Sequence, residues 1–595
     1  MQAAAAAKPA DPLLGALPQW DLGHLYAGPQ DPALAADLAR ARERAAAFRA
    51  AHEGKVAALD GPGLAAAIAE YEAIDELLGR VGSYAQLLHA GDMADPAIGR
   101  FYQSITEALT DIGSLTLFFT LALNRLEDAA LTDPALDRWR PWLARVRAYR
   151  PHQLADELER LLHEKQVAGR AAWVRLYDET LADLRFAVRE ERLTLAEVLN
   201  RLTDRDGAER EAAARAIAHS LGEKARLFAL ITNTLAKDKA IEDQWRGYPR
   251  PISARNIGNQ VEDAVVDALI AAVREAYPRL SHRYYRLKAR WFGTDVLPFW
   301  DRNAPLPQDD DTRIPWRQAE EMVLAAYRGF APEMAEIASR FFREGWIDAP
   351  ARPGKASGAF AHPTVPSAHP YVLLNYLGRT RDVMTLAHEL GHGVHQVLAA
   401  GQGHFLSDTP LTLAETASVF GEMLTFQALL KAERDPARRK TLLAGKVEDM
   451  LNTAVRQIAL HDFEEQVHAR RRDGELTPDD LSALWLETQA RSLGPAIRLD
   501  DGYRMFWAYI PHFIHTPFYV YAYAFGDGLV NALYAVYRQA DAGFAARYLD
   551  MLRAGGSRTH RELLAPFGLD AADPAFWRQG LDLIEGMIGE LETMG

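Results

Sequence analysis

The helical periodicity of apolar residues in the first half of the chain constrains its fold more than any other feature. From Asp31 to about Ile270 the sequence is rich in Ala, Leu, Arg and Glu, and apolar residues recur every three or four positions, as in AAAIAEYEAIDELLGRVGSYAQLLHA. This spacing places apolar side chains along one face of an α-helix. Pro and Gly occur mainly between the periodic stretches, which predicts a series of helices joined by turns.

A Gly- and Pro-rich region interrupts this helical periodicity. Residues 348–378 read DAPARPGKASGAFAHPTVPSAHPYVLLNYLG. Within them, PYVLLNY is a short apolar run with β-branched and aromatic residues, bounded by Pro370 and Gly378, which predicts a strand. Helical patterns then resume towards the C-terminus. The prediction is a mainly α protein with a small β element just before residue 380.

Composition limits the classes of partner and of metal site. The 595 residues contain 67 Lys and Arg against 81 Asp and Glu, a net charge of −14, which disfavours a nucleic-acid partner. There is no cysteine, so a metal would have to be held by His and carboxylate groups. The alanine-rich start lacks the pattern of a secretory signal, and no run of about 18 apolar residues is free of charge. We therefore expect a cytoplasmic protein without a membrane partner.

The segment RDVMTLAHELGHGVHQVLAA, residues 381–400, carries an unusual set of polar groups on a predicted helix. His388 and His392 are four residues apart, so both imidazoles leave the same face about one turn apart. Glu389 lies beside them without being placed to ligate. This is the H-E-x-x-H zinc signature, in which the Glu acts as a base. The alternative is a pair of satisfied, partly buried histidines on a core helix.

A catalytic zinc ion needs a third protein ligand and an open position. The next predicted helix, TPLTLAETASVFGEMLTFQALL, supplies Glu415 and Glu422, seven residues apart on one face. If the two helices are antiparallel, Glu422 is expected near the depth of His395. His395 lies about 10 Å along the axis from His388, too far to share the ion, so we expect it to support the site.

Two glycines on the histidine helix predict a close neighbour. Gly391 and Gly393 each cost roughly 1 kcal/mol relative to Ala inside a helix. A helix that bears Glu415 and packs closely against them would explain their presence. Simple tolerance of glycine is the alternative.

A late block, YIPHFIHTPFYVYAYAFGDGLVNALY, contains a third cluster of polar groups. Tyr519 and Tyr523 are four residues apart on a predicted helix, and His512 and His515 precede Pro517. Aromatic residues at helical spacing usually belong to a core. A Tyr hydroxyl and an imidazole are nevertheless suitable hydrogen-bond donors for an oxyanion.

Seven blocks together resemble the oligoendopeptidase F branch of the thimet-oligopeptidase-like zinc metallopeptidases. In chain order they are PQWDLGHLY, WDRNAPLP, RPGKASGAFA, HPYVLLNYLG, TLAHELGHGVHQ, LAETASVFGEML and YIPHFIHTPFYVYAYAFGDG. The resemblance implies an almost entirely helical ellipsoid in which two lobes enclose a deep substrate channel. We divide the chain into an N-terminal segment (1–30), an N-terminal helical region (31–205) and a catalytic domain (206–595).

The resemblance also implies a metal site and its base. It implies one zinc ion per chain, held by His388, His392 and Glu415, with Glu389 as general base. Glu422 would be a neighbouring carboxylate that does not bind the metal.

For the substrate, the resemblance implies two further groups of residues. His512 and Tyr523 would act at the oxyanion, with Tyr519 and His515 as further substrate-binding candidates. The family often has an aromatic residue shortly after the first His, whereas here Phe513 is followed by Ile514 and His515, so the assignment within this block stays open. The strand Tyr371–Tyr376 would be an edge that pairs with the substrate backbone, which assigns Tyr371, Leu373 and Asn375 to substrate binding.

The implied activity is zinc-dependent hydrolysis of internal bonds in short, unstructured peptides. A metallo-carboxypeptidase or a dipeptidase of similar helical fold would use the same motif. A peptide-binding protein without catalysis would have no use for Glu389 beside a metal. The oligomeric state stays open.

Overall fold

A computed structural model of the chain describes residues 12–166, 168–306, 313–539 and 543–594. Helices predominate in these residues, and short strands form three small sheets. The predicted mainly α fold with a small β element is therefore confirmed. The alanine-rich start falls largely within residues 1–11, which lie outside the described residues.

The chain divides into two compact units, each assembled from three stretches. The first unit comprises the described residues of Met1–Arg150, Asp311–Ala432 and Gln539–Gly568. The second comprises those of Pro151–Asp310, Glu433–Arg538 and Leu569–Gly595. The domain boundaries placed at residues 30 and 205 stay predictions.

The first unit contains most of the long helices of the N-terminal region and the helix with the histidine motif. Its helices are α1 (Pro32–His52), α2 (Gly61–Gly91), α3 (Pro96–Ser114), α4 (Leu117–Arg125), α5 (Arg140–Arg147), α14 (Trp316–Phe330), α15 (Pro332–Arg343), α16 (Thr380–Ala399), α17 (His404–Ser407), α18 (Leu411–Ala432), α24 (Phe544–Arg553) and α25 (His560–Leu564). Its strands are β4 (Ile347–Pro350), β5 (Phe360–His362) and β6 (Tyr371–Tyr376).

The second unit is also helical, with two small strand pairs. Its helices are α6 (Asp156–Gln166), α7 (Arg170–Asp183), α8 (Leu195–Arg201), α9 (Gly207–Glu223), α10 (Ala225–Arg246), α11 (Ser253–Gly258), α12 (Asp263–Ala276), α13 (Ser281–Trp291), α19 (Pro436–Thr453), α20 (Val455–Arg471), α21 (Pro478–Leu493), α22 (His512–His515), α23 (Tyr521–Tyr537) and α26 (Pro574–Thr593). The strands β1 (Phe186–Val188) and β2 (Glu191–Leu193) pair antiparallel, and β3 (Leu297–Pro298) and β7 (Ile497–Arg498) pair in parallel.

Asp-Pro pairs begin several of these helices. Asp31, Asp95, Asp435 and Asp573 each accept a backbone N–H of the first helical turn, and the proline follows at the first helical position. The carboxylate satisfies an N–H that has no partner within the helix, and proline needs none at that position. Local sequence therefore sets where these helices begin.

The predicted strand before the histidine helix exists, but it is not an edge. β6 lies between β4, with which it is parallel, and β5, with which it is antiparallel. Both sides of β6 are thus already hydrogen-bonded. The assignment of Tyr371–Tyr376 as an edge that pairs with substrate is wrong, because the sequence pattern shows a strand but not its neighbours.

One stretch of the described residues, Pro96–Arg125, has the length and apolar composition of a membrane-crossing helix. In the structure it is divided between α3 and α4. A single stretch of this kind is weak evidence for a membrane span.

Candidate metal centre

The centre is built by α16 and α18 of the first unit, which pack side by side. Gly391 faces Ala417 and Ser418, and His388 contacts Glu422, so residue numbers rise on one helix as they fall on the other. The two helices are therefore antiparallel. The short connection through α17 makes this a helical hairpin, as the sequence predicts.

His388, His392 and Glu415 are brought together by this hairpin. Glu415 Oε2 lies 3.2 Å from His388 Nε2 and 3.5 Å from His392 Nε2. One ligand atom from each of the three residues lies within 4.8 Å of the others. Atoms bound to one tetrahedral zinc ion at about 2.0–2.1 Å are separated by roughly 3.3 Å. The donor set and its spacing fit such an ion.

Two further groups hold these side chains in place. Glu422 Oε2 lies 3.2 Å from His388 Nδ1, so Glu415 and Glu422 contact opposite nitrogens of one imidazole. Ser418 Oγ donates a hydrogen bond of 2.6 Å to Glu415 Oε2. Sequence reasoning missed Ser418, although its position three residues after Glu415, on the same face of α18, could have indicated it. The expectation that Glu422 lies at the depth of His395 is wrong, because the helix register brings it to His388.

Glycines allow the close approach of α16 to its neighbours. A Cβ at Gly391 would overlap the carbonyl oxygen of Ala417 and lie 2.6 Å from Ser418 Cα. The predicted close contact with the Glu415 helix is thus confirmed for Gly391. Gly393 instead faces the ring of Phe341 on α15. Tyr327 of α14, which no sequence pattern indicated, packs on Gly421 and donates to the carbonyl of Ala387.

Glu389 is buried beside the three grouped side chains, with only 7% of its surface exposed. The backbone N–H of Ala361 in β5 lies near enough to its carboxylate to oppose a rise in its pKa. Burial raises the pKa of Glu389 to about 7. A carboxyl group with a pKa near neutrality can both accept and release a proton at the pH of most cells.

The protonation of the three grouped residues follows from burial and from their mutual contacts. Burial lowers the pKa of His388, but hydrogen bonds to Glu415 and Glu422 outweigh it and raise the value to about 10. Burial lowers the pKa of His392 to about 4. Burial raises the pKa of Glu415, but the hydrogen bond from His388 outweighs it and lowers the value to about 2. At pH 7 Glu415 is therefore ionised and His392 neutral, the forms that bind metals, whereas His388 is protonated and would release its proton when a metal binds.

His395 and three β6 residues lie outside the metal cluster. His395 is buried, and burial lowers its pKa to about 4. Tyr371 and Leu373 are fully buried, and the Tyr371 hydroxyl donates to the carbonyl of Asp21. The Asn375 amide donates to the carbonyls of Ala356 and Gly358. These β6 side chains hold the sheet and its loop together, and their predicted substrate contacts stay predictions.

The late aromatic block lies in the second unit. His512 Nε2 is 3.2 Å from the Tyr523 hydroxyl, and the ring centres of Tyr519 and Tyr523 are 5.2 Å apart. Tyr519 precedes α23, so the predicted helical relation of the two tyrosines is wrong, although their rings still meet. His515 Nε2 lies 2.7 Å from Asp178 Oδ1 of α7 and forms an ion pair there when protonated.

Backbone contacts fix the segment between α22 and α23. Arg170 donates to the carbonyl of Ile514 at 2.7 Å, and Arg255 donates to that of Pro517 at 3.3 Å. Phe518 has a φ of 58° and donates its N–H to Glu464 Oε1 at 2.8 Å. This left-handed conformation is unusual for an aromatic residue and is retained here by its surroundings.

A His-His-Glu cluster with an adjacent buried carboxylate is the arrangement typical of a metal-dependent hydrolase. The model of peptidase family M3 matches residues 201–583, and that of oligopeptidase F matches residues 124–186. The chain belongs to peptidase family M3, in its oligoendopeptidase F branch, and is a metallo-oligopeptidase.

Individual proteins agree with this assignment. Oligopeptidase PepF of Bacillus subtilis is 24% identical over 546 residues, which cover 89% of this chain and 80% of that protein. A solved chain from Chlamydophila abortus is 24% identical and superposes with a TM-score of 0.86 over 97% of this chain and 98% of its own. Oligoendopeptidase F from Enterococcus faecium is 21% identical, with a TM-score of 0.69 over 94% of this chain and 97% of its own. The two structures show a shared fold.

Proposed function

We propose that the protein is a zinc-dependent endopeptidase that hydrolyses internal bonds of short, unstructured peptides, with one zinc ion per chain. The convergence of His388, His392 and Glu415 on one point, with Glu389 buried beside them, carries this proposal. When bound, zinc polarises a carbonyl group and lowers the pKa of water from about 15.7 to about 7. His388, His392 and Glu415 would hold it, and Glu422 would orient His388.

Glu389 is the proposed base. As the oxygen of water adds to the scissile carbonyl carbon, Glu389 takes the proton that this water loses. When the C–N bond breaks, Glu389 passes the proton to the leaving nitrogen, so the carboxylate is restored. The raised pKa of Glu389, about 7, suits both steps.

β5 replaces β6 as the proposed strand for the substrate backbone. β5 lies at one end of the sheet order β4-β6-β5, and the N–H of Ala361 on this strand reaches Glu389. An extended peptide added along β5 would bring its carbonyl groups close to Glu389. The sequence pattern predicts only β6, because β5 is shorter and less apolar.

His512 and Tyr523 are the proposed donors to the oxyanion, with Tyr519 and His515 as further substrate-binding candidates. The resemblance supports this assignment, together with the 3.2 Å contact between His512 and Tyr523. Tyr523→Phe should reduce kcat by about 10²–10³ with little change in KM, because one oxyanion donor is lost. Steady-state kinetics on a fluorogenic peptide measure this. An unchanged kcat would remove Tyr523 from the reaction.

The remaining proposals concern the setting of the reaction. We propose a cytoplasmic location, with oligopeptides as substrates and with no nucleic-acid or membrane partner. We place the catalytic domain at residues 206–595 and the N-terminal helical region at 31–205. The relatives that match most of the chain support a peptide substrate by their names.

The test combines Glu389→Gln with a peptide that is acetylated at its N-terminus and amidated at its C-terminus. The wild-type protein should cut this peptide at an internal bond, which a carboxypeptidase cannot do. The Glu389→Gln variant should lose about 10²–10⁴ in rate while its zinc content stays near one per chain. Glu336→Gln, at an exposed glutamate of α15 paired with Arg343, is the matched control and should keep full activity. Retained cleavage by Glu389→Gln would exclude Glu389 as the base.

A further inference from the structure

A small cavity in the second unit has an unusual lining. Its volume is about 10 Å³, which is room for one particle the size of water. It lies where α13, α19, α20 and α21 meet. The polar residues of its lining are Tyr285, Arg302, Asn452, Arg456, Gln489 and Ser492, and the rest are aliphatic.

The charges around this cavity do not balance. Arg302 and Arg456 both line it, and no carboxylate does so among the described residues. The nearby carboxylate of Glu448 is already occupied, since it accepts hydrogen bonds from Lys288 and from the Tyr284 hydroxyl. The neighbours that act on the Arg302 guanidinium are phenols, those of Tyr503, Tyr285 and Tyr509. Two half-buried guanidinium groups therefore meet at this cavity with no carboxylate among the lining residues that the structure describes.

Two hydrogen-bond donors of the lining have no acceptor among the residues that the structure describes. Arg456 Nε and Gln489 Nε2 are buried and without a hydrogen-bond partner, and Gln489 is only 1% exposed. The other end of the Gln489 amide is engaged, since the Tyr503 hydroxyl donates to its Oε1 at 3.4 Å. Buried donors in proteins nearly always have an acceptor. The cavity therefore presents N–H groups to whatever occupies it.

We propose that this cavity binds a small monovalent anion such as chloride. A water molecule could accept the two hydrogen bonds, but it would leave the two guanidinium charges beside the cavity without a counter-charge. An anion supplies the acceptor and the charge together. Chloride is somewhat larger than water, so the flexible Arg456 and Gln489 side chains would move slightly outwards to admit it.

The anion would also act on the late aromatic block. The charge of Arg456 reaches His512 and the Tyr509 phenol. An anion beside Arg456 would offset that field at His512. The binding site stands by itself, whereas an effect of the anion on turnover rests on the proposed function, in which His512 takes part.

The test uses the full-length, metal-loaded protein and compares sodium chloride or bromide with sodium gluconate at constant ionic strength. The melting temperature should rise by roughly 2–4 °C in the halides as the site fills. In crystals grown with bromide, an anomalous peak should lie within hydrogen-bond distance of Arg456 Nε and Gln489 Nε2. No halide-specific rise and no peak would show that the cavity holds water only, and would overturn the proposal.

Two variants link the halide effect to the cavity. Gln489→Glu places a carboxylate of nearly the same shape beside the two arginines, so it should abolish the halide-specific rise. Arg456→Met should abolish it by removing one of the two charges. Arg504→Gln, at an arginine of the same unit paired with the exposed Asp479, is the control and should keep the full rise. An equal rise in Gln489→Glu would place the halide elsewhere and contradict the proposal, whatever the peptidase activity.

Discussion

Glu415 and Glu422 are seven residues apart on α18, yet both contact the same imidazole. His388 lies between them because its ring presents Nε2 to one carboxylate and Nδ1 to the other. The spacing of the two glutamates identifies both as candidates for the third ligand. Only the register of α16 against α18 places Glu415, and not Glu422, within reach of His392 as well.

Glu422→Gln should weaken zinc binding by about 10–100-fold, because a charged acceptor that orients a histidine ligand and raises its basicity is lost. Competition with a chromogenic chelator measures the zinc affinity. The control is Glu336→Gln, which removes an exposed carboxylate and should leave the affinity unchanged. Equal affinities for Glu422→Gln and the wild type would show that His388 needs no support from Glu422.

His515 shows how a residue can match a motif and still be engaged elsewhere. It lies three residues after His512, and sequence alone does not separate the two. In the structure His515 contacts Asp178 of α7, whereas His512 contacts Tyr523. The separation of 337 positions between His515 and Asp178 explains why no local pattern indicated this partner.

At the scale of elements, the packing of α16 on α18 depends on the absence of a side chain at Gly391. The glycine signal in the sequence predicts a close neighbour, and Ala417 with Ser418 is that neighbour. Gly393 gives the same prediction of a close neighbour, but there the neighbour belongs to a different element, α15. At these two positions the glycine indicates that something approaches, but not which element does.

Gly391→Ala should destabilise the protein by about 1–3 kcal/mol, because the added Cβ meets backbone atoms of α18. This outweighs the gain of up to about 1 kcal/mol that alanine offers inside a helix. Zinc affinity should fall as well, since α18 carries Glu415. Thermal unfolding and chelator competition measure the two effects.

The control for this prediction is Gly329→Ala near the end of α14. A Cβ there would meet nothing within 4 Å, so this variant should be neutral or slightly stabilising. If both alanine variants behaved alike, the close contact at Gly391 would not limit the packing of α16 and α18.

Local sequence does not determine the order of the strands in the sheet. PYVLLNY forms a strand because its residues favour an extended, buried conformation. β5 is shorter and less apolar, and its pairing with β6 brings together residues that are nine to thirteen positions apart. The position of each strand within the sheet therefore follows from long-range hydrogen bonds.

At the scale of the whole molecule, one buried carboxyl couples stability to pH. Glu464 lies on α20 and accepts the N–H of Phe518. Burial raises the pKa of Glu464 to about 8, although the Phe518 N–H and nearby cations oppose this. The folded protein thus holds a proton on Glu464 at a pH where the unfolded chain, with an ordinary Glu pKa, has released it.

This difference in pKa predicts a loss of stability as pH rises from about 4.5 to about 8, since the folded state binds more protons over that window. Glu464→Gln keeps an acceptor for Phe518 but cannot ionise. The melting temperature of the variant minus that of the wild type should therefore increase between pH 5 and pH 8, by several degrees. Scanning fluorimetry across this range measures it. A difference that is constant with pH would mean that Glu464 is ionised in both states.

The sequence by itself determined the helical class, the ends of many helices, the strand before α16 and the H-E-x-x-H spacing on that helix. These features depend on side chains within a few positions of one another, where periodicity, capping and turn residues act. The tertiary structure decided that β6 is central, that Glu422 meets His388, that Ala361 meets Glu389 and that His515 turns to Asp178. Each of these arrangements brings together residues that are distant in the sequence. It therefore depends on how whole helices and strands pack, which no local pattern specifies.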